Sequence, residues 1–108
     1  MSSAREKMSE LGKKLEAKRA EAQRIGAVYK FVLTGDGGGT FVVNVKDDVG
    51  VREEDGAAPC TIHLSATDFV DLLEGRASGQ ALFFSQRLRV EGDVSLALRL
   101  QAVTDILK

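Results

Sequence analysis

Between residues 79 and 107 the run GQALFFSQRLRVEGDVSLALRLQAVTDIL carries more apolar side chains than one buried face can use. At about 100° per residue, Val94, Leu98, Ala102 and Ile106 form one i, i+4 stripe of a terminal helix, and Leu96, Leu100, Val103 and Leu107 form another. A surface helix needs a single apolar stripe. A second one calls for burial on both sides, an oligomer contact or the wall of a cavity, and the choice among these three is the functional question.

The whole chain has 108 residues, of which 44% are hydrophobic and 29% charged. That suits a single domain with a real core, spanning 1–108, and is too short for two catalytic subdomains. No apolar run approaches the ~20 residues of a membrane span, and MSSAREKMSE is charged where a signal peptide is greasy. A cytoplasmic chain is expected, and the single Cys60 agrees because it has no disulfide partner within the chain. The net charge of −1 is unevenly spread: residues 1–26 hold seven Lys/Arg and four Glu, and the rest hold eight Lys/Arg and twelve Asp/Glu. Few aromatics and no Trp argue against a nucleic-acid partner, while the basic first segment suits contact with an anionic membrane surface.

Ser3 to Glu6 fits a capping box, and Met8, Leu11, Leu15, Ala22 and Ile25 keep a heptad-like seam to Gly26, which predicts one N-terminal helix over 1–26. Lys18 sits in that seam, so a coiled-coil homodimer is weak and a helix resting one narrow face on the domain is favoured. The strands fall within 27–64. Val28–Thr34 and Thr40–Lys46 alternate with the strand period and form a hairpin around Gly35-Asp36-Gly37-Gly38-Gly39. That loop runs strand to strand, without the following helix or Lys-Ser/Thr that a phosphate cradle needs. A short strand near Val49–Glu53 turns at Asp55-Gly56 into a strand at Cys60–Leu64. The acidic turn lacks the ligand ladder of a calcium loop.

Cys60 and His63 lie on opposite faces of their strand, and there is no second His or Cys for a zinc site or base partner for a triad. No enzyme, metal or cofactor is expected. Residues 65–108 supply the remaining helices and last strands around a cavity. Ser65 caps a helix over Ala66–Glu74 with Phe69, Leu72 and Leu73 inward, Gln80–Phe84 is a brief helix, and Arg87–Glu91 is a strand before the Gly92-Asp93 turn.

Taken in order, Cys60-Thr-Ile-His-Leu-Ser-Ala-Thr-Asp68-Phe69, Leu72-Leu73-Glu-Gly75, Gln80-Ala-Leu-Phe83-Phe84, Arg87-Leu-Arg-Val-Glu-Gly92-Asp93 and Leu96-Ala-Leu-Arg-Leu-Gln101 resemble the sterol carrier protein 2 family of nonspecific lipid-transfer proteins. With the Ile25-Gly26 junction and Phe41–Lys46, the resemblance covers almost the whole chain. It implies an α+β fold, an α/β sandwich in which a five-stranded, mostly antiparallel sheet is covered by helices, with an apolar lipid tunnel between them. It also implies a non-catalytic carrier of fatty acyl chains, acyl-CoA, sterols or related molecules. On this basis Phe83-Phe84, Gln80 and the last-helix positions up to Gln101 line or close the tunnel, and the full set of ligand-binding residues expected is Phe69, Leu73, Gln80, Leu82, Phe83 and Phe84, then Val94, Leu96, Leu98, Leu100, Gln101 and Val103. Independently of the resemblance, Gln80 and Gln101 are candidates to orient a headgroup, and Arg87 or Arg99 to meet a carboxylate or phosphate, although a solvated surface is the favoured reading of the two arginines. The family often has Gln-Gly after the aromatic pair where this chain has Ser85-Gln86, and the chain ends Asp-Ile-Leu-Lys108 in place of a Ser-Lys-Leu signal. The competing expectation is an accessory subunit of a lipid-modifying complex that uses Leu96, Leu100 and Leu107 as a protein interface.

Overall fold

Strict alternation gives β1 (Ala27–Thr34) one buried face, Ala27, Tyr29, Phe31 and Leu33, in the computed structural model, which describes residues 3–106. The same alternation repeats in β2 (Gly39–Val45) and β4 (Cys60–Ser65), while β3 (Gly50–Arg52) is a short edge. With β5 (Leu88–Gly92) the strands form one five-stranded sheet in the order β3-β2-β1-β4-β5. Three of its pairings are antiparallel, and β1 and β4 run parallel with Tyr29 opposite Cys60 and Leu33 opposite Leu64. The parallel pair requires a crossover, made by the β2–β3 excursion.

Helices cover only the apolar face of this sheet. The predicted first helix is two: α1 (Ala4–Ala17), capped by the Ser3 hydroxyl accepting Glu6 N–H at 3.1 Å, and α2 (Arg19–Ile25). The break falls at Lys18, the cation in the seam, whose backbone leaves the helical region at φ −114°, ψ 43°. Its ammonium donates instead to the Ile106 carbonyl at 3.3 Å near the end of the last helix. Met8, Leu11 and Leu15 are buried by the chain's own sheet and helices, so the seam offers no free edge for a coiled-coil copy. Gly26 ends α2 in the left-handed region.

Ser65 caps α3 (Ala66–Leu73) by accepting Asp68 N–H at 3.0 Å, and Phe69 packs edge-on against Phe31 with centroids 5.6 Å apart. Asp68 itself is buried and is held by Arg87, whose Nε donates to Oδ2 at 3.2 Å and whose Nη2 donates to Oδ1. This forked contact pins the start of α3 to the start of β5. After α4 (Gly79–Phe84) and β5, the predicted terminal helix also divides, into α5 (Val94–Ala97) and α6 (Leu100–Asp105).

The reason lies at Leu96, whose carbonyl accepts from the buried Tyr29 hydroxyl at 2.6 Å and from Arg99 N–H at 3.0 Å, a tightened three-residue bond. Burial, reinforced by neighbouring Cys60, pushes the Tyr29 phenol above its ordinary pKa, so it stays a donor. Tyr29→Phe should cost about 0.5–1.5 kcal/mol in urea unfolding, the net worth of one hydrogen bond, because the Leu96 carbonyl keeps its bond from Arg99 N–H. Leu107, the last member of the second stripe, and Lys108 lie outside the described residues.

Candidate functional site

The split of the terminal helix separates its two stripes. Leu96 and Leu100, at 9% and 5% exposure, and Val103 are buried among the described residues, so these three are largely taken up by the chain's own packing. Ile106 of the other stripe is also buried, and Ala102 is exposed. Val94 and Leu98 stand out at 57% and 82% exposure, and α4 brings up Phe83 at 45% and Phe84 at 76%. These are the large exposed hydrophobic side chains among the described residues, and all four line one cavity of about 430 Å³ between α4, β5 and the α5–α6 pair. The exposure of its walls makes it a groove open to solvent along the Phe84 and Leu98 edge.

Of the residues expected to bind ligand, Gln80, Phe83, Phe84, Val94, Leu98, Leu100 and Gln101 line the groove. Phe69, Leu82, Leu96 and Val103 lie instead in the packed core, and Leu73 flanks a smaller neighbouring cavity of about 200 Å³. The core residues form the layer behind the groove because they pack on the sheet. Sequence reasoning missed Leu88 and Val90 from β5, which give the groove its sheet wall, together with Leu72, Gly79, Ala97 and Thr104. A signal existed: Leu88 and Val90 alternate inward on a strand, and Thr104 follows Leu100 by one helical turn.

Polar contact at the groove comes from neutral groups. Gln101 donates its amide N–H to Asp105 at 2.9 Å, and Thr104 donates its hydroxyl to the Gln101 carbonyl at 2.9 Å. Arg87 and Arg99, candidate anion contacts for which a solvated surface is the favoured reading, are engaged elsewhere. Arg87 holds Asp68, and Arg99 donates to the Ile25 carbonyl at 3.0 Å, closing the end of α2. Both arginines therefore act as structural ties between elements.

Past the end of α4 stands Gln86, at the position where the resemblance implies a frequent glycine. Gln86 adopts φ 63°, with its N–H donating to Phe83 O at 3.1 Å and Arg87 N–H donating to Leu82 O at 2.8 Å. That pair of bonds is a Schellman cap with a non-glycine residue in the left-handed position. Gln86→Gly should raise stability by about 0.5–1 kcal/mol, read as an upward shift of the urea midpoint, since relief of αL strain outweighs the added chain entropy.

The other candidate groups stand apart from the groove. Cys60 is fully buried on the helix-covered face, and burial followed by the Asp93 charge raises its thiol pKa, which keeps it protonated and unreactive. His63 is on the opposite sheet face, with Nε2 3.0 Å from Glu91 Oε1 but not aligned as a hydrogen bond. The glycine-rich loop closes the β1–β2 hairpin as expected. In the acidic turn, Arg5 meets Glu53 at 2.5 Å, Lys30 meets Asp55 and Arg52 meets Asp48, so side-chain cations partner the carboxylates.

The sequence matches the SCP-2 sterol transfer family over residues 6–105. It is 36% identical over 100 residues to sterol carrier protein 2 of Rattus norvegicus, an alignment that takes in 87% of this chain and 18% of that protein. The chain thus spans under a fifth of the length of the curated relatives it matches. Among solved structures, the apo sterol carrier protein 2 of Yarrowia lipolytica superposes with a TM-score of 0.78 at 23% identity, covering 93% of this chain and 88% of that one. Sterol carrier protein-2 of Aedes aegypti in complex with the C16 fatty acid palmitate gives a TM-score of 0.78 at 24% identity, covering 100% of both chains. At these identities the two structures establish a shared fold.

Proposed function

Because the chain belongs to the SCP-2 sterol transfer family, we propose that it takes the hydrocarbon chain of a lipid into the groove between α4, β5 and α5–α6 and carries it unchanged. The observation that supports this most is the convergence of Phe83, Phe84, Val94 and Leu98 on one cavity. Exposed apolar side chains scattered singly are ordinary, but a cluster around a concave apolar surface marks a ligand site. The Aedes relative holds palmitate, and the groove here has room for a similar ligand. At roughly 30 Å³ per methylene, taken as about the share of one water in the liquid, its 430 Å³ admits on the order of fourteen methylenes. Each one moved out of water contributes about 0.8 kcal/mol, set against an association cost of about 4 kcal/mol or more.

Affinity would then come from chain length more than from the headgroup, because Gln80, Gln101 and Thr104 offer neutral hydrogen bonding only. Catalysis has no role in this reading. The Cys60 thiol is buried, and His63 lies across the sheet from the groove.

Native mass spectrometry of the freshly purified chain should show one bound single-chain lipid, and a fluorescent fatty acid should bind the delipidated protein saturably at one per chain. A delipidated protein that binds no member of a panel of fatty acids, alcohols, acyl-CoA and sterols would overturn the proposal.

A further inference from the structure

Resting on the groove reading, we infer that Gln101 sets the longest hydrocarbon chain this protein buries, as a polar bar between the groove and the smaller cavity beside it. The two cavities, of about 430 and 200 Å³, share three lining residues, Leu72, Gln101 and Thr104, and so meet along them. Leu72 and Thr104 are buried and form the base of that boundary, while Gln101 is exposed and stands on top of it. A chain lying in the groove can therefore run on into the second cavity only across the Gln101 side chain.

The local sequence puts an amide at this crossing. Leu100 and Val103 of α6 are buried, which leaves Gln101 outward at the edge of the groove. Asp105 follows by four residues, the spacing that lets Gln101 Nε2 donate to its carboxylate at 2.9 Å and hold the amide along α6. The groove wall before the bar is mostly apolar, with Leu88, Val90, Val94 and Leu98. A hydrocarbon that goes further strips water from the amide without offering a hydrogen bond, which offsets the gain from several methylenes.

Beyond the bar the surface again suits hydrocarbon. Leu72, Leu73 and Ala77 line the second cavity, and its polar side chains already have partners within the fold. The Thr104 hydroxyl donates to the Gln101 carbonyl at 2.9 Å, and Ser78 caps α4 by accepting Ala81 N–H at 3.0 Å. Arg76 donates to Asp71 at 2.8 Å and meets Glu74 at 2.5 Å, so a cation shared by two carboxylates does not call for an anionic headgroup. At roughly 30 Å³ per methylene, the second cavity admits on the order of six more carbons, which would raise the limit from about fourteen to about twenty.

The test compares the delipidated parent with Gln101→Ala, each titrated with saturated fatty acids from about ten to about twenty-two carbons by displacement of one fluorescent probe. What is read is the length at which affinity stops rising within each protein's own series, so a uniform change in affinity does not enter. The parent should level off near fourteen carbons, and Gln101→Ala should keep tightening about fourfold per methylene to about twenty. Ala77→Phe added to Gln101→Ala fills the second cavity and should return the limit to about fourteen, with Ala77→Leu in its place if the larger ring prevents folding. A Gln101→Ala protein that levels off where the parent does, a parent that already gains up to about twenty carbons, or a double variant whose limit stays near twenty would each overturn the inference. Affinity flat with chain length in every protein would instead remove the groove reading itself.

Discussion

Leu98→Asp should weaken long-chain lipid binding by about a hundredfold or more and leave urea unfolding within about 0.5 kcal/mol of the parent, whereas Leu96→Asp, two residues away, should unfold the protein. The contrast follows from the split of the two stripes. Leu98 is mostly exposed on the groove wall, so a carboxylate there stays hydrated in the empty protein and costs little. A bound hydrocarbon chain would displace that hydration, and the charge would then face apolar surface without a partner. Leu96 is buried, and its carbonyl already holds Tyr29, so the same carboxylate is forced into the core. Titration with a fluorescent fatty acid and urea unfolding of both variants check the pair. Equal behaviour of the two would show that the groove wall and the core face are not separate.

Gly92→Ala should cost about 3 kcal/mol or more, and the equivalent change at Gly75 about 1 kcal/mol. Both glycines have positive φ, +88° and +82°, so each pays the left-handed strain of roughly 1–2 kcal/mol less what glycine loses in entropy. They differ in surroundings. A Cβ on Gly75 meets nothing within 4 Å, while one on Gly92 would lie 2.4 Å from the Pro59 carbonyl oxygen. That oxygen accepts Asp93 N–H at 2.8 Å, and Gly92 pairs with Cys60 at the end of β5. The added methyl therefore pushes apart the strand that walls the groove and the turn that starts α5. Denaturant midpoints of the two variants are the measurement. A Gly92→Ala protein as stable as Gly75→Ala would mean that the β5–α5 turn is looser than its geometry indicates.

The sheet was readable from sequence because its strands bury one face only: Tyr29, Phe31, Leu33 and Phe41, Val43, Val45 alternate without exception. The caps at Ser3 and Ser65 were readable for a similar reason, since a hydroxyl three residues before an N–H is a local device. The two helix breaks were not, because their causes are remote in sequence. Lys18 turns away from its seam toward Ile106, and Leu96 gives its carbonyl to Tyr29, 67 residues earlier. Periodicity treats a helix as continuous until a Gly or Pro interrupts it, and neither break has one.

The groove was half readable for the same reason. The aromatic pair and the two apolar stripes pointed to it, but the choice of stripe depended on which one the sheet would claim. Arg87 and Arg99 show the limit most clearly. Both read as solvated surface residues or candidate anion contacts, and both are ties within the fold, to Asp68 and to the Ile25 carbonyl.

The most direct test of the account is the affinity of the delipidated chain for straight-chain fatty acids and the matching alcohols from eight to eighteen carbons, measured by displacement of one fluorescent probe. Burial of the hydrocarbon in the groove predicts that each added methylene tightens binding about fourfold, with acids and alcohols in parallel, until the chain reaches on the order of fourteen carbons and the gain levels off as the groove fills. Affinity that is flat with chain length, or set by the headgroup alone, would contradict it.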